Sequence, residues 1–231
     1  MDPRKLYFDD RFDGMCIYCG EPADSKDHVP SKVFLDKPYP KNLPVVRSCS
    51  ECNGDFSVDE EYLACFLECV FHGTTEPNDN FREKIFKTLS SRKKIASRIE
   101  NAKILDSSGN LNWQPEIWRI KAVVEKLARG HIFYELGINH FGDPSKIEIT
   151  PVPIMNENEL EAFCTPGGEE PPLLPEVGSR SFVNYFAGKP TAFHDWEIVQ
   201  EGRYAYRIGQ IHGEWVKIIL RDYLACLVVW E

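Results

Sequence analysis

The sequence lacks long apolar runs, and this absence excludes one class of protein. No stretch approaches the roughly 18 to 20 consecutive apolar residues that a membrane-spanning helix requires. The N-terminus begins Met-Asp-Pro-Arg-Lys and contains no apolar segment of the kind that a secretory signal needs. We therefore expect a cytoplasmic protein that has no membrane partner.

The sequence also has no internal repeat, no phosphate-binding glycine loop and no second catalytic motif beyond the region described next. Its 231 residues suit one large domain or two small ones. An apolar content of 42% is ordinary for a folded chain, so the sequence can bury a core. The residue types that indicate a function therefore lie mainly in roughly the first third of the chain.

Four of the eight cysteines form two Cys-x-x-Cys pairs, Cys16 with Cys19 and Cys49 with Cys52. Each pair places two sulfurs on one tight turn, and four thiolates can close a tetrahedral zinc site. Disulfides are not expected in a reducing compartment. The 29 residues between the pairs are more than a plain zinc ribbon has, which indicates an inserted segment. The other four cysteines lie in apolar contexts and are expected to be buried thiols.

The inserted segment is predicted to contain two short strands, near residues 27–30 and 42–46, joined by a proline-rich turn. A helix is predicted after the second cysteine pair. Ser57 and Glu60 have the spacing of a capping box, which places the start of that helix at Ser57. The predicted order is strand, strand, helix, with cysteine pairs at both ends of the two-stranded part.

The series Cys-x-x-Cys, Asp-His-x-Pro, Asn-Leu and Cys-x-x-Cys-Asn, across residues 15–69, resembles the HNH endonuclease family with its ββα-metal fold. The resemblance implies that His28 is the general base and that Asp27 is a ligand of the catalytic metal. It implies that Asn42 holds the loop and orients the base, and that Asn53 is the other metal ligand. The four paired cysteines would carry a structural zinc ion.

One position departs from the family pattern. Many members have a lysine a few residues after the second cysteine pair, and residues 54–57 supply none. Asp55 or Asp59 could therefore replace or assist Asn53 as the second ligand. The sequence leaves this ligand open among the three residues.

The residue types suit phosphodiester hydrolysis. Histidine has an unperturbed pKa near neutrality, so His28 can take a proton from water. A carboxylate and an amide oxygen are hard ligands that favour Mg²⁺ or Mn²⁺ over zinc. A cation held by Asp27 would neutralise charge on the scissile phosphate and on the departing oxygen.

The formal charge of −9 is unfavourable for contact with nucleic acid, but the charge is unevenly distributed. Residues 1–72 carry a net −6 and residues 106–231 a net −7, whereas residues 73–105 carry a net +4. The segment 81–103 is predicted to form two amphipathic helices with basic outer faces. Such a face is usually only solvated; beside a nuclease site it becomes a candidate phosphate contact. Its candidate residues are Lys84, Lys87, Arg92, Lys94 and Arg98.

The fold class predicted for the whole chain is α+β. Residues 1–73 are predicted to form the nuclease module, residues 74–140 a helical region, and residues 141–231 a mostly antiparallel, β-rich region of unknown role. The long helix is expected at residues 115–136. Strands are expected at residues 147–149 and 182–186 and in a meander at residues 203–208, 215–220 and 223–230.

The leading hypothesis is a metal-dependent HNH endonuclease that cleaves DNA, with phage defence or restriction suggested by analogy. A zinc-stabilised binding module without catalysis is the main alternative, because it would explain the acidity and the missing lysine. An RNase or toxin with the same chemistry is the third reading. The expected partner is nucleic acid, with DNA favoured over RNA; a regulatory protein or a second copy of the chain stays open.

Overall fold

The structure, a computed structural model, describes residues 14–165, 175–192, 195–210 and 213–231. Residues 1–13 of the predicted nuclease module and three short parts of the predicted β-rich region lie outside this description. The helices are α1 (Ser50–His72), α2 (Glu83–Ser91), α3 (Lys93–Asn101), α4 (Ile117–Leu136), α5 (Glu157–Cys164) and α6 (Arg180–Phe186). The strands are β1 (Ser25–His28), β2 (Val45–Ser48), β3 (Lys103–Leu105), β4 (Leu111–Trp113), β5 (Lys146–Pro151), β6 (Glu197–Gln200), β7 (Tyr204–Gln210), β8 (Glu214–Leu220) and β9 (Leu224–Trp230).

This mixture of helices and antiparallel strands confirms the α+β class. None of the helices in the described ranges combines the length and apolar character needed to cross a membrane. The chain divides into two compact units. One comprises Met1–Gly54 and Val124–Glu231, and the other comprises Asp55–Val123.

The N-terminal strands β1 and β2 pair antiparallel, with Asp27 opposite Val46 and His28 opposite Val45. The amide of Val29 donates to the carbonyl of Pro44 at 3.0 Å, which continues the pairing one residue beyond His28. Helix α1 follows β2 after a single residue, so the predicted order of strand, strand, helix is confirmed.

The predicted start of α1 at Ser57 is wrong, because the helix begins at Ser50. The amide of Ser50 donates to the Asp24 carboxylate at 2.6 Å. This acceptor comes from the loop before β1 and satisfies one of the amides that a helix start leaves unpaired. A local capping pattern could not reveal it.

The C-terminal strands form a five-stranded antiparallel sheet in the order β5-β9-β8-β7-β6. The predicted strand at residues 147–149 and the predicted meander are both present. Alternate side chains of the central strands are fully buried, among them Tyr206, Ile208, Val216, Ile218 and Val228. At Gly209 the Trp215 indole occupies the space of a side chain, since an added Cβ would lie 1.9 Å from it.

The strand predicted at residues 182–186 is wrong, because the segment forms helix α6. Its aromatic residues have high β propensity, but the Ser179 hydroxyl accepts a hydrogen bond from the Phe182 amide at 3.3 Å and caps a helical turn. Tyr185 and Phe186 are exposed, so no sheet partner covers them in the described structure.

Helix α4 confirms the predicted long helix, two residues shorter at its start. From Ile120 onward its core-facing residues are buried. Gly130 allows a close approach to the N-terminal segment, because a Cβ there would lie 2.7 Å from a methyl group of Val29. The part of α4 after Val124 thereby packs beside the end of β1.

The second unit contains α2, α3 and the hairpin β3–β4. Ile85, Leu89, Ile95 and Ile99 are buried, which confirms the two predicted amphipathic helices. The helices are separated at Arg92. The two short strands of the hairpin, on either side of residues 106–110, were not predicted.

Candidate functional site

The four paired cysteines come together in the first unit. Cys16 and Cys19 lie in the loop before β1, Cys49 follows β2, and Cys52 lies in the first turn of α1. Their four Sγ atoms are all within 4.8 Å of one another, and the Cys19 and Cys49 sulfurs are 3.7 Å apart. The cluster could therefore hold a structural metal ion.

Backbone donors stabilise negative charge on the sulfurs of Cys16 and Cys49, whereas burial raises the pKa of Cys19 and of Cys52. Burial raises the pKa of Cys16, but hydrogen bonds from the backbone of Cys49, Tyr18 and Cys19 outweigh it and lower the pKa to about 7. The amide of Cys52 donates to the Cys49 sulfur at 3.3 Å. Such donors stabilise the thiolate, which is the form that binds metal.

His28 is the last residue of β1 and is half-buried. Burial lowers the pKa of its imidazole, and the charges of Lys32 and Lys126 lower it further against the opposing effect of Asp27. Within the described residues the ring makes no side-chain hydrogen bond. The imidazole is therefore neutral near pH 7 and can accept a proton.

Asp27, the neighbour of His28, is buried and already has a cation beside it. Its Oδ2 atom lies 2.6 Å from the Lys126 ammonium and accepts a hydrogen bond from the Tyr18 hydroxyl at 2.9 Å. These contacts engage one carboxylate oxygen. A divalent cation at Asp27 would have to use the second oxygen or displace the ammonium group.

The sequence prediction missed Lys126. Its side chain is completely buried on α4 and also donates to the Ser31 hydroxyl at 3.2 Å. A signal was present, because Lys126 stands between Val124 and Leu127 in an apolar part of the helix. A lysine at such a position requires a buried partner.

The two asparagines have different surroundings. The Asn53 amide nitrogen donates to the Ser25 hydroxyl at 3.0 Å and to the Lys26 carbonyl at 3.4 Å, so it binds the strand that carries His28. Asn42 lies in an exposed turn, makes no side-chain hydrogen bond within the described residues, and lines a cavity. The structure thus places Asn53, but not Asn42, in hydrogen-bond contact with β1.

The two alternative ligands belong to the second unit. Asp59 forms an ion pair with Arg119, which engages its carboxylate. Asp55 is exposed on α1. Of the three candidates for second metal ligand, Asn53 is the one that shares a unit with His28.

The predicted nucleic-acid contacts are all exposed on α2, α3 or the residue between them. Lys87 pairs with Glu83, Arg92 with Glu61 at 2.6 Å, and Arg98 with Glu116 at 3.6 Å. Within the described residues, Lys84 and Lys94 form no such ion pair. These two lysines are the members of the set whose charge is not locally compensated.

Comparisons of this chain with protein-family models, with curated proteins and with solved structures give no match.

Proposed function

We propose that this protein is a metal-dependent endonuclease of the HNH type that hydrolyses phosphodiester bonds in DNA. One observation carries the proposal: a strand, strand, helix segment has cysteine pairs at both ends and presents Asp27 and His28 at the end of β1, with Asn53 bonded to that strand. A role in phage defence or restriction belongs to the same proposal and rests on analogy alone.

The structural ion in this proposal is zinc. A tetrahedral zinc with sulfur ligands at about 2.3 Å has sulfurs about 3.8 Å apart. The distance of 3.7 Å between the Cys19 and Cys49 sulfurs agrees with that value. Among the described residues the cluster has four cysteines and no fifth ligand, which suits a closed structural site, because a catalytic site keeps one position open.

The hydrolytic step requires a base and a cation. His28, neutral near pH 7, accepts the proton of the attacking water. Asp27 and the Oδ1 atom of Asn53 would hold Mg²⁺ or Mn²⁺, because the Asn53 nitrogen is engaged with β1 and leaves its oxygen as an acceptor. That cation, when bound, would neutralise charge on the scissile phosphate and on the leaving oxygen.

The ion pair between Asp27 and Lys126 favours a second candidate, a zinc-stabilised binding module without catalysis. A lysine that compensates the carboxylate removes the need for a metal ion at that position. The net charge of −9 agrees with this alternative. The two candidates differ in whether Asp27 can take a divalent cation and whether His28 is needed for cleavage.

Cleavage of supercoiled plasmid by zinc-loaded protein in Mg²⁺ or Mn²⁺ tests the proposal. We expect His28→Ala to lower the rate by about 10² to 10⁴-fold, because it removes the general base. The variant Glu21→Gln, an exposed residue beside the first cysteine pair, should cleave at the wild-type rate. Circular dichroism and zinc content should be the same in all three proteins.

The same assay with single-stranded and structured RNA separates the substrate classes. Cleavage of RNA alone, lost in His28→Ala, would keep the chemistry and revise the substrate. Absence of cleavage of either nucleic acid by zinc-loaded wild type would favour the binding module. Equal cleavage by wild type and His28→Ala would contradict the assignment of His28.

A further inference from the structure

A cavity of about 570 Å³ lies in the first unit, between the turn at residues 40–44 and the edge strand β6. Its size is within the range of sites that hold small molecules. No role was predicted for the C-terminal region, and that region forms much of the cavity lining. Asn42 also lines the cavity, and within the described residues it forms no hydrogen bond with His28.

Arg180 is a charged residue of the cavity wall whose side chain is held in place by its neighbours. Its guanidinium forms ion pairs with the buried Glu135 and, at 2.7 Å, with Glu197. Glu135 also accepts hydrogen bonds from the hydroxyls of Tyr206 and Ser181. This network holds Arg180 in one position before any ligand arrives, which reduces the ordering cost of binding.

The lining is positively charged in a chain that is strongly acidic. Arg180, Lys41 and Lys189 line the cavity together with a single carboxylate, that of Glu197. Lys41 and Lys189 are exposed and form no ion pair within the described residues. Glu135 and Glu197 compensate the charge of Arg180, so the uncompensated cations of the lining are Lys41 and Lys189, and these two lysines favour an anion.

The remaining lining is suited to a flat, partly polar group. The amides of Asn42 and Asn184 can each donate and accept hydrogen bonds. Apolar surface comes from Leu43, Pro44 and Ile198. Inorganic phosphate alone would leave most of this volume and apolar surface unused.

We propose that the cavity binds a nucleotide, with its phosphate toward Lys41 and Lys189 and its base against the apolar wall and the two amides. The nucleotide can be a free molecule or one unpaired residue of a strand. This site goes beyond phosphodiester hydrolysis, because binding requires neither His28 nor a divalent cation.

Calorimetric titration of the zinc-loaded full chain, without added Mg²⁺ or Mn²⁺, tests the site. We expect AMP or CMP to bind with a dissociation constant between about 10 µM and 1 mM. Adenosine and inorganic phosphate should each bind at least about tenfold more weakly, since each supplies half of the recognised chemistry. The double variant Lys41→Ala/Lys189→Ala should lose about tenfold in affinity for AMP.

Two controls keep this result separate from the nuclease proposal. Lys121→Ala, at an exposed lysine outside the cavity, and His28→Ala should both bind AMP as wild type does. Tighter binding of a short single-stranded oligonucleotide than of AMP, dependent on Lys41 and Lys189, would identify the strand as the source; the reverse order would identify the free nucleotide. The proposal is overturned if phosphate binds as tightly as AMP, if AMP fails to bind saturably, or if the double variant binds normally.

Discussion

The N-terminal segment, residues 14–54, and the C-terminal sheet, residues 146–230, are stabilised in different ways. Strands β1 and β2 have four residues each, and an isolated pair of that size is marginal in water. Strands β7, β8 and β9 have seven residues each and bury alternate apolar side chains. The sheet therefore has a core of its own, whereas we expect the N-terminal segment to require the cysteine cluster and contacts from elsewhere.

Those contacts come from α4 and from the sheet. Lys126 pairs with Asp27, and Gly130 receives the side chain of Val29. The side-chain amide of Gln200 exchanges two hydrogen bonds with the backbone of Asp36, at 2.7 and 3.1 Å. We therefore expect the part of the unit that holds the candidate nuclease residues to depend most on outside support.

Loss of a metal ion from the cysteine cluster is expected to produce the largest difference between the two regions. Structural zinc contributes roughly 10 to 16 kcal/mol to the folding of zinc-finger peptides, and we expect removal by a strong chelator, or Cys49→Ser, to unfold the N-terminal segment. Hydrogen exchange should show loss of amide protection in residues 15–48 and retained protection in residues 204–230.

The matched control is Cys226→Ala, which removes a buried thiol of β9 and should leave the metal stoichiometry unchanged. Equal loss of protection in both regions would mean that the N-terminal segment and the sheet unfold as one. Unchanged protection after confirmed metal loss would contradict a structural role for the cluster.

The second largest effect should come from Lys126→Met. Removing the ammonium leaves the buried Asp27 carboxylate without its cation, and breaking such a pair costs about 3 to 5 kcal/mol. Urea unfolding should show this loss, while Lys121→Met, an exposed lysine on the same helix, should change stability by less than about 0.5 kcal/mol. A loss as small as that of the control would show that the pair does not stabilise the segment.

The variant Lys126→Met also tests whether Asp27 binds a metal ion. If Asp27 binds a divalent cation, Mg²⁺ or Mn²⁺ should restore part of the stability of Lys126→Met and should have no such effect on Lys126→Met/Asp27→Asn. Absence of restoration would favour the binding module over the nuclease.

Periodicity and residue chemistry predicted much of the fold. Alternation predicted the C-terminal meander, and apolar spacing predicted α4 and the paired basic helices. The errors occur where a partner distant in sequence, or a local cap, decides the structure. Asp24 starts α1 earlier than the local pattern indicates, and Ser179 converts an aromatic, β-prone segment into α6.

The site was predictable to the extent that its residues are neighbours in sequence or share a motif. The two cysteine pairs were expected to meet, and their sulfurs do. Lys126 and the cluster of Glu135 with Arg180 were not predicted, because each pairs with a residue brought close only by the tertiary fold. The roles of His28, Asp27, Asn42 and Asn53 stay predictions that the cleavage and metal experiments address.

The smallest expected effect is the dependence of stability on pH. We expect His131, beside the sheet, to contribute more to it than His28. His131 of α4 is fully buried, lies 2.7 Å from the Tyr204 hydroxyl through Nε2, and has no hydrogen-bond partner for Nδ1 within the described structure. Burial and then the charge of Arg180 lower its pKa well below 6.5. The folded state therefore binds fewer protons than the unfolded state, so stability present above pH 6.5 is lost as the pH falls below it. Each histidine of this kind changes the free energy of unfolding by at most about 1.4 kcal/mol per pH unit.

Urea unfolding between pH 8 and 5.5 measures this dependence of the free energy of unfolding on pH. His131→Gln should reduce the dependence more than His28→Gln does, because His28 is only half-buried. The opposite ranking would place the acid-sensitive group in the N-terminal segment.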